Sequence, residues 1–292
     1  MKKFLSFIFI VVFTLGLYVP VSADAVVGDE IVTLGQDLSA EDKNKLLEEF
    51  GVKEGEVEII YVTNTEEHEY LGDFIPKAQI GSRAISSAKI TVGEENTGIV
   101  VYTNNITYVT GDMYANALAT AGLEDVRVQV SAPFPVSGTG ALTGIMKAYE
   151  DISGEEIDKD QKLVATEEMV QTTKLVEEGI DSEKAAQFFE EVKTRISQID
   201  PETEEEIKKI IIEVAAELNI TITDERMDEL VQLFKKIQEL DIDWEKVNQV
   251  LDQAKEKWDE FAATEEGQGV INAIKNFFKE IIDIIVSIFS KE

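Results

Sequence analysis

The chain holds one histidine, four arginines and no cysteine, and these rare residues bound the chemistry open to it. His68 lies in Glu66-Glu67-His68-Glu69, on a segment that reads as a short, exposed helix. A lone imidazole can serve as a general base or as one metal ligand. Here its charged neighbours make a solvated surface side chain the simpler expectation. A serine hydrolase would need its nucleophile on a strained turn of the G-x-S-x-G kind, and that motif is absent. Without cysteine there is no thiolate nucleophile, no disulfide and no zinc-thiolate site. No catalytic residue, metal site or cofactor is expected.

Glu66, Glu67, Arg83, Ser86 and Ser87 form the more informative set, because they are polar without belonging to a plain charge run. Arginine is scarce in this chain, and a scarce guanidinium in an acidic protein tends to have a defined carboxylate partner. These residues would either line a polar pocket for a small ligand or peptide end, or lock a strand–helix junction through an Arg–Glu pair and serine caps. Ser137-Gly138-Thr139-Gly140 opens a predicted helix, so its backbone N–H groups could hold an anion. It lacks the Gly-Lys-Ser/Thr of a phosphate loop. Gly140, Gly144 and Ala148 share one smooth helix face, which favours close packing on a sheet. A pair of carboxylates could also hydrolyse glycans. With 58 acidic residues, adjacent carboxylates arise by chance, and only two tryptophans are present to line a sugar groove.

The elements that must position these residues fall into two parts, and the expected class is α+β. Residues 26–153 mix strands and helices. Helices are predicted at 40–50, 65–71, 112–121 and 137–151. Strands are predicted at 57–62, 85–92, 98–102, 106–109 and 126–131, with Gly93–Thr97 as the turn between the second and third. This pattern fits a mixed α/β sandwich. Residues 155–292 show apolar residues at helical spacing and few glycines or prolines. Helices are predicted at about 160–178, 182–198, 203–218, 224–239, 243–264 and 270–289, as a bundle or a chain of hairpins.

The first residues read as an export signal. Met1-Lys2-Lys3 is a positive start, Phe4 to Val19 is an uncharged apolar run, and small residues precede Asp24 and follow it. Cleavage is expected near residue 23. Removing that segment's two lysines takes the net charge from −31 to −33. Residues 151–292 hold 37 acids and 17 bases, so most of the charge lies on the helical part. A surface this acidic repels phosphate backbones and argues against nucleic-acid partners. Ile274, Phe277, Phe278, Ile281, Ile282 and Ile285 give residues 270–289 a broad apolar stripe. That helix would close the bundle or make peripheral membrane contact.

Several stretches carry a family resemblance. They are Thr63-Asn64-Thr65-Glu66-Glu67 with Tyr70-Leu71-Gly72, then Ile80-Gly81-Ser82-Arg83-Ala84-Ile85-Ser86-Ser87, and Met113-Tyr114-Ala115-Asn116-Ala117-Leu118. Ala132-Pro133-Phe134-Pro135-Val136-Ser137-Gly138-Thr139-Gly140-Ala141-Leu142-Thr143-Gly144 completes the set. Together they resemble the YpuA-like secreted proteins of Gram-positive bacteria, a domain-of-unknown-function family. The resemblance covers about residues 24–178 well and the helical part loosely. It implies an exported, envelope-associated protein, and it supplies no catalytic residues to carry over.

The expected function is therefore that of an exported cell-envelope protein that binds an envelope component or another protein without enzymatic turnover. The alternative is a carboxylate-dependent hydrolase of envelope glycans or peptides. The candidate ligand-binding residues are Glu66, Glu67, Arg83, Ser86, Ser87, Ser137, Gly138 and Gly140.

Overall fold

The structure is a computed structural model that describes residues 26–240. The expected export signal and the helices expected at 243–264 and 270–289 lie outside the described residues. The described part is mixed α and β, in keeping with the expected α+β class.

One five-stranded sheet organises the first part. Its strands are β1 (Glu30–Gly35), β2 (Glu58–Val62), β3 (Ser87–Val92), β4 (Ile99–Ile106) and β5 (Val126–Val136). Their order across the sheet is β2-β1-β3-β5-β4. β1 runs parallel to β2 and β4 parallel to β5, whereas β3 is antiparallel to both of its neighbours. Each parallel pair needs a crossover. Helix α1 (Ala40–Glu49) lies between β1 and β2 in the chain, and α4 (Gly111–Thr120) lies between β4 and β5.

Two expectations change here. β3 and β4 are not a hairpin, because β5 lies between them. Gly93–Thr97 instead wraps the start of β5: Gly93 N–H donates to the Asp125 carbonyl, and the Asp125 carboxylate accepts from the N–H groups of Asn96 and Gly98. The stretch expected at 98–102 is the first part of β4, which runs on to Ile106; of the strand expected at 106–109 only Ile106 is extended in the sheet, and 107–109 form a bend leading to α4. The fifth strand is β1, where no strand is expected from the sequence. Its Ile31 faces the main core, while Val32 and Leu34 face a second cluster built with Leu46, Leu47 and Phe50 of the α1 region. A strand buried on both faces shows no polar–apolar alternation to mark it.

Helices α2 (Asn64–Leu71), α3 (Lys77–Ile80) and α5 (Ala141–Ser153) complete the first part. Helices α6 (Lys159–Glu177), α7 (Ser182–Ile199), α8 (Glu204–Glu217) and α9 (Asp224–Glu239) follow close to their predicted bounds. Among their side-chain caps are Asp181 before α7, Thr203 with Glu206 at α8, and Thr223 before α9. Helix α5 begins later than expected, at Ala141, which leaves 137–140 as a loop. Gly144 carries α5 onto the sheet, since a Cβ there would stand 2.9 Å from Thr33 Oγ1 and 3.0 Å from Val62 Cγ2.

The main core is continuous from the sheet to the helices, running from Ile31 and Ile90 through Leu118 and Met169 to Phe188, Phe189 and Phe234. Inside it lies an ion pair. Lys193 Nζ of α7 sits 2.7 Å from Glu168 Oε1 of α6, and both side chains are essentially inaccessible. The lysine also donates to the Asn116 carbonyl and to Thr120 Oγ1 of α4, and Thr120 donates to the second oxygen of Glu168. Three helices are thus tied by a hydrogen-bonded charge pair, the condition under which a buried pair is tolerated.

Candidate functional site

Helix α2 carries the first group of candidate residues. A capping box starts it: Thr63 Oγ1 accepts from Glu66 N–H at 3.2 Å, and Glu66 Oε2 accepts from Thr63 N–H at 2.8 Å. The other Glu66 oxygen pairs with Lys147 of α5. Burial pushes the Glu66 carboxyl up, but Lys147 and the Thr63 donors outweigh it, so it lies below its ordinary range. Glu66 is therefore committed to the scaffold.

Glu67, one residue further on, points elsewhere, as the helical step of about 100° requires. It is only 4% exposed. Asn64 Nδ2 donates to its Oε2 at 3.0 Å. Its Oε1 rests against Gly140, where a Cβ would come within 2.1 Å of it. Burial drives the Glu67 carboxyl up to about 7; the Asn64 hydrogen bond opposes this, and the nearby charges of Asp37 and Glu66 add to it.

The segment 81–87 is pinned at several points. The Gly81 carbonyl accepts from His68 Nε2 at 2.9 Å and faces Asn64 Nδ2 at 3.4 Å. Ala84 N–H donates to Asp37 Oδ2 at 2.8 Å, and the Ala84 carbonyl accepts from Asp37 N–H. Ser87 is buried and structural: its Oγ accepts from Gly35 N–H and donates to the Ile85 carbonyl. Between the anchors at Gly81 and Ala84, Arg83 is exposed. Among the described residues it has no hydrogen-bond or ion-pair partner. The expected Arg–Glu lock is not formed. Arg195 and Arg226, by contrast, are paired with Glu217 and with Glu178 and Glu229.

His68 also departs from expectation. It is half-buried rather than exposed, its Nε2 is engaged by Gly81, and its Nδ1 is buried with no partner among the described residues. It holds a backbone and does not face the cavity described next.

The loop 137–140 supplies the opposite wall. Gly138 has φ +94°, and a Cβ there would strike Ile106 and the Tyr114 hydroxyl, so only glycine fits. Its carbonyl accepts from the Tyr114 hydroxyl at 2.5 Å. The Ser137 carbonyl accepts from Val109 N–H. Gly140 is the N-cap of α5 and has no side chain to satisfy the first turn.

These walls enclose a cavity of about 230 Å³. Of the expected residues, Glu67, Arg83, Ser86, Ser137 and Gly140 line it. Glu66, Ser87 and Gly138 do not, and each has a scaffold role instead. Thr139 of the same loop lines it too, as do Ser82 and Phe134, which are not among the candidate residues. The only sequence signal for Ser82 and Phe134 is their place inside the motif stretches. Glu67 is the one carboxylate among the lining residues described. Among the described residues, no group of three or more His, Asp or Glu side chains could hold a metal ion. No helix among them is long and apolar enough to cross a membrane.

Comparison with known proteins gives the lineage. The model of the family "Protein of unknown function (DUF1002)" matches residues 34–254. The chain belongs to that family. It is also 47% identical over 268 residues to "Uncharacterized protein YpuA" of Bacillus subtilis (strain 168), covering 91% of this chain and 92% of that protein. No solved structure matches. The four stretches that carry the resemblance in this DUF1002 chain meet in space. Three of them line the cavity, and Tyr114 of the fourth holds the loop at Gly138.

Proposed function

We propose that the chain is an exported cell-envelope protein that binds, without transforming, a small ligand bearing an anionic end. The export segment at Met1–Val19 supports the location. The observation that carries the binding role is Arg83, an unpaired guanidinium lining a small cavity whose other polar groups are hydroxyls and one buried acid. A planar guanidinium held between two backbone anchors is suited to a carboxylate. Glu67, held toward its neutral form, can donate a hydrogen bond instead of repelling the ligand. The lack of a second carboxylate across the described cavity weighs against the hydrolase alternative, which requires two.

N-acetylglycine, the smallest peptide-like carboxylate, provides the test. Titrated into the mature chain, it should shift the backbone resonances of residues 82–86 and 137–140 saturably, and Arg83→Ala should abolish those shifts. Hydrolysis of wall polymers or peptides that Glu67→Gln abolishes would overturn this function, as would shifts that survive Arg83→Ala.

A further inference from the structure

A second and larger cavity, of about 580 Å³, adjoins the first. Ser137 and Thr139 line both, so the loop 137–140 is a shared wall. The far side of the larger cavity comes from the helical part, through Val170 and Thr173 of α6 and Arg226 of α9. Its near side holds Ile75, Pro76 and Tyr108. The two compartments differ in chemistry. The smaller has the free cation, Arg83. In the larger, Arg226 is paired with Glu178 and Glu229 and Lys174 with Glu229, Glu177 adds a further carboxylate that would repel an anionic end, and the rest of the lining is apolar side chains and hydroxyls.

We propose that the two cavities form one bipartite site for the carboxyl-terminal end of a peptide, with the terminal carboxylate at Arg83 and the preceding side chains in the larger cavity. This rests on the binding role argued above and names its ligand class. Charge complementarity fixes the direction of the chain, because the unpaired cation lies at one end only. The shared wall decides the kind of chain. Ser137 Oγ and Thr139 Oγ1 lie 3.4 Å apart on it and offer hydroxyl donors and acceptors where the ligand must cross. A peptide presents an amide at that point, whereas an acyl chain presents methylenes that would leave the hydroxyls unsatisfied. Apolar pockets on one side and a polar crossing on the other match a chain that alternates apolar side chains with a polar backbone. Phe134 at the smaller cavity and Tyr108 at the larger are 41% and 44% exposed, so each can close over a bound residue without being drawn from the core.

Calorimetric titration of the mature chain with N-acetylglycine, acetyl-Leu-Leu-Gly, its C-terminal amide and decanoate tests this. The tripeptide should bind about tenfold or more tighter than N-acetylglycine, since apolar groups are added to a preformed pocket. The amide should lose most of its affinity. The double variant Ile75→Ala/Tyr108→Ala should remove the tripeptide's advantage and leave N-acetylglycine unchanged. Arg83→Ala should weaken both. If N-acetylglycine binds through Arg83 and the tripeptide gains nothing, the bipartite site is overturned and the binding role stands. A gain that survives Ile75→Ala/Tyr108→Ala overturns the bipartite site as well. Decanoate binding more tightly than the tripeptide overturns the peptide class. Binding of none of the four overturns both proposals.

Discussion

The Glu67 carboxylate lies against the α-carbon of Gly140, so closely that a Cβ at that position would stand 2.1 Å from Oε1. The contact joins helix α2 to the start of α5 and forms a corner of the cavity. Gly140→Ala should therefore displace Glu67 and destabilise the protein by about 1–3 kcal/mol, the range for forcing an extra methyl into a packed site. In Gly140→Ala/Glu67→Ala the obstruction is gone, and urea denaturation should show a smaller loss than the two single variants added together.

The raised Glu67 carboxyl has a sign that can be checked. Its folded value of about 7 exceeds its ordinary value of 4.5, so the folded state holds the proton more tightly than the unfolded state. Glu67 thus contributes no penalty below its ordinary value, and an increasing one as pH rises toward 7. Fully expressed, the shift is worth about 3 kcal/mol. Many other acids titrate in the same window, so the difference between wild type and Glu67→Gln is the measure. Unfolding free energies at pH 5 and pH 7.5 should fall further in wild type than in Glu67→Gln.

Ligand binding should follow the same proton. As pH rises from 6 to 8, Glu67 ionises inside the cavity and repels a bound carboxylate. The affinity for N-acetylglycine should fall by about tenfold, equivalent to ~1.4 kcal/mol of repulsion. Glu67→Gln should bind with little pH dependence over that range, as calorimetry at the two pH values would show.

Glu66 is the contrasting neighbour. It faces Lys147 and the Thr63 cap, away from the cavity. Glu66→Gln should leave N-acetylglycine affinity unchanged. It should cost about 1 kcal/mol or less, because the pair is partly exposed and the glutamine can still cap. An affinity change as large as that of Arg83→Ala would contradict this geometry.

The buried Lys193–Glu168 pair predicts a larger effect. Lys193→Met leaves Glu168 buried without its cation and should destabilise the fold by about 3–5 kcal/mol. Lys193→Met/Glu168→Leu should recover much of that loss, measured as the midpoint of urea unfolding.

The sequence by itself determined most of the helices and four of the five strands. Apolar residues at helical spacing located the helices, and the side-chain caps that start several of them, at Thr63, Asp181, Thr203 and Thr223, are equally local, because such signals act within a few residues. It also placed Glu67, Arg83, Ser86, Ser137 and Gly140 among the residues to watch. The tertiary structure decided how they meet. Strand β5 inserted between β3 and β4 because pairing is set by distant partners, and no local signal distinguishes that order from a hairpin. Glu66 and Glu67 are the same residue type one position apart. Only the packing of α2 against α5 and Gly140 makes one of them a scaffold carboxylate and the other a buried acid at a cavity. Arg83 is flanked by backbone tied down at Gly81 and Ala84, and no carboxylate among the described residues lies within ion-pair distance of it. Burial, and hence the proton on Glu67, belongs to the assembled walls rather than to any stretch of chain.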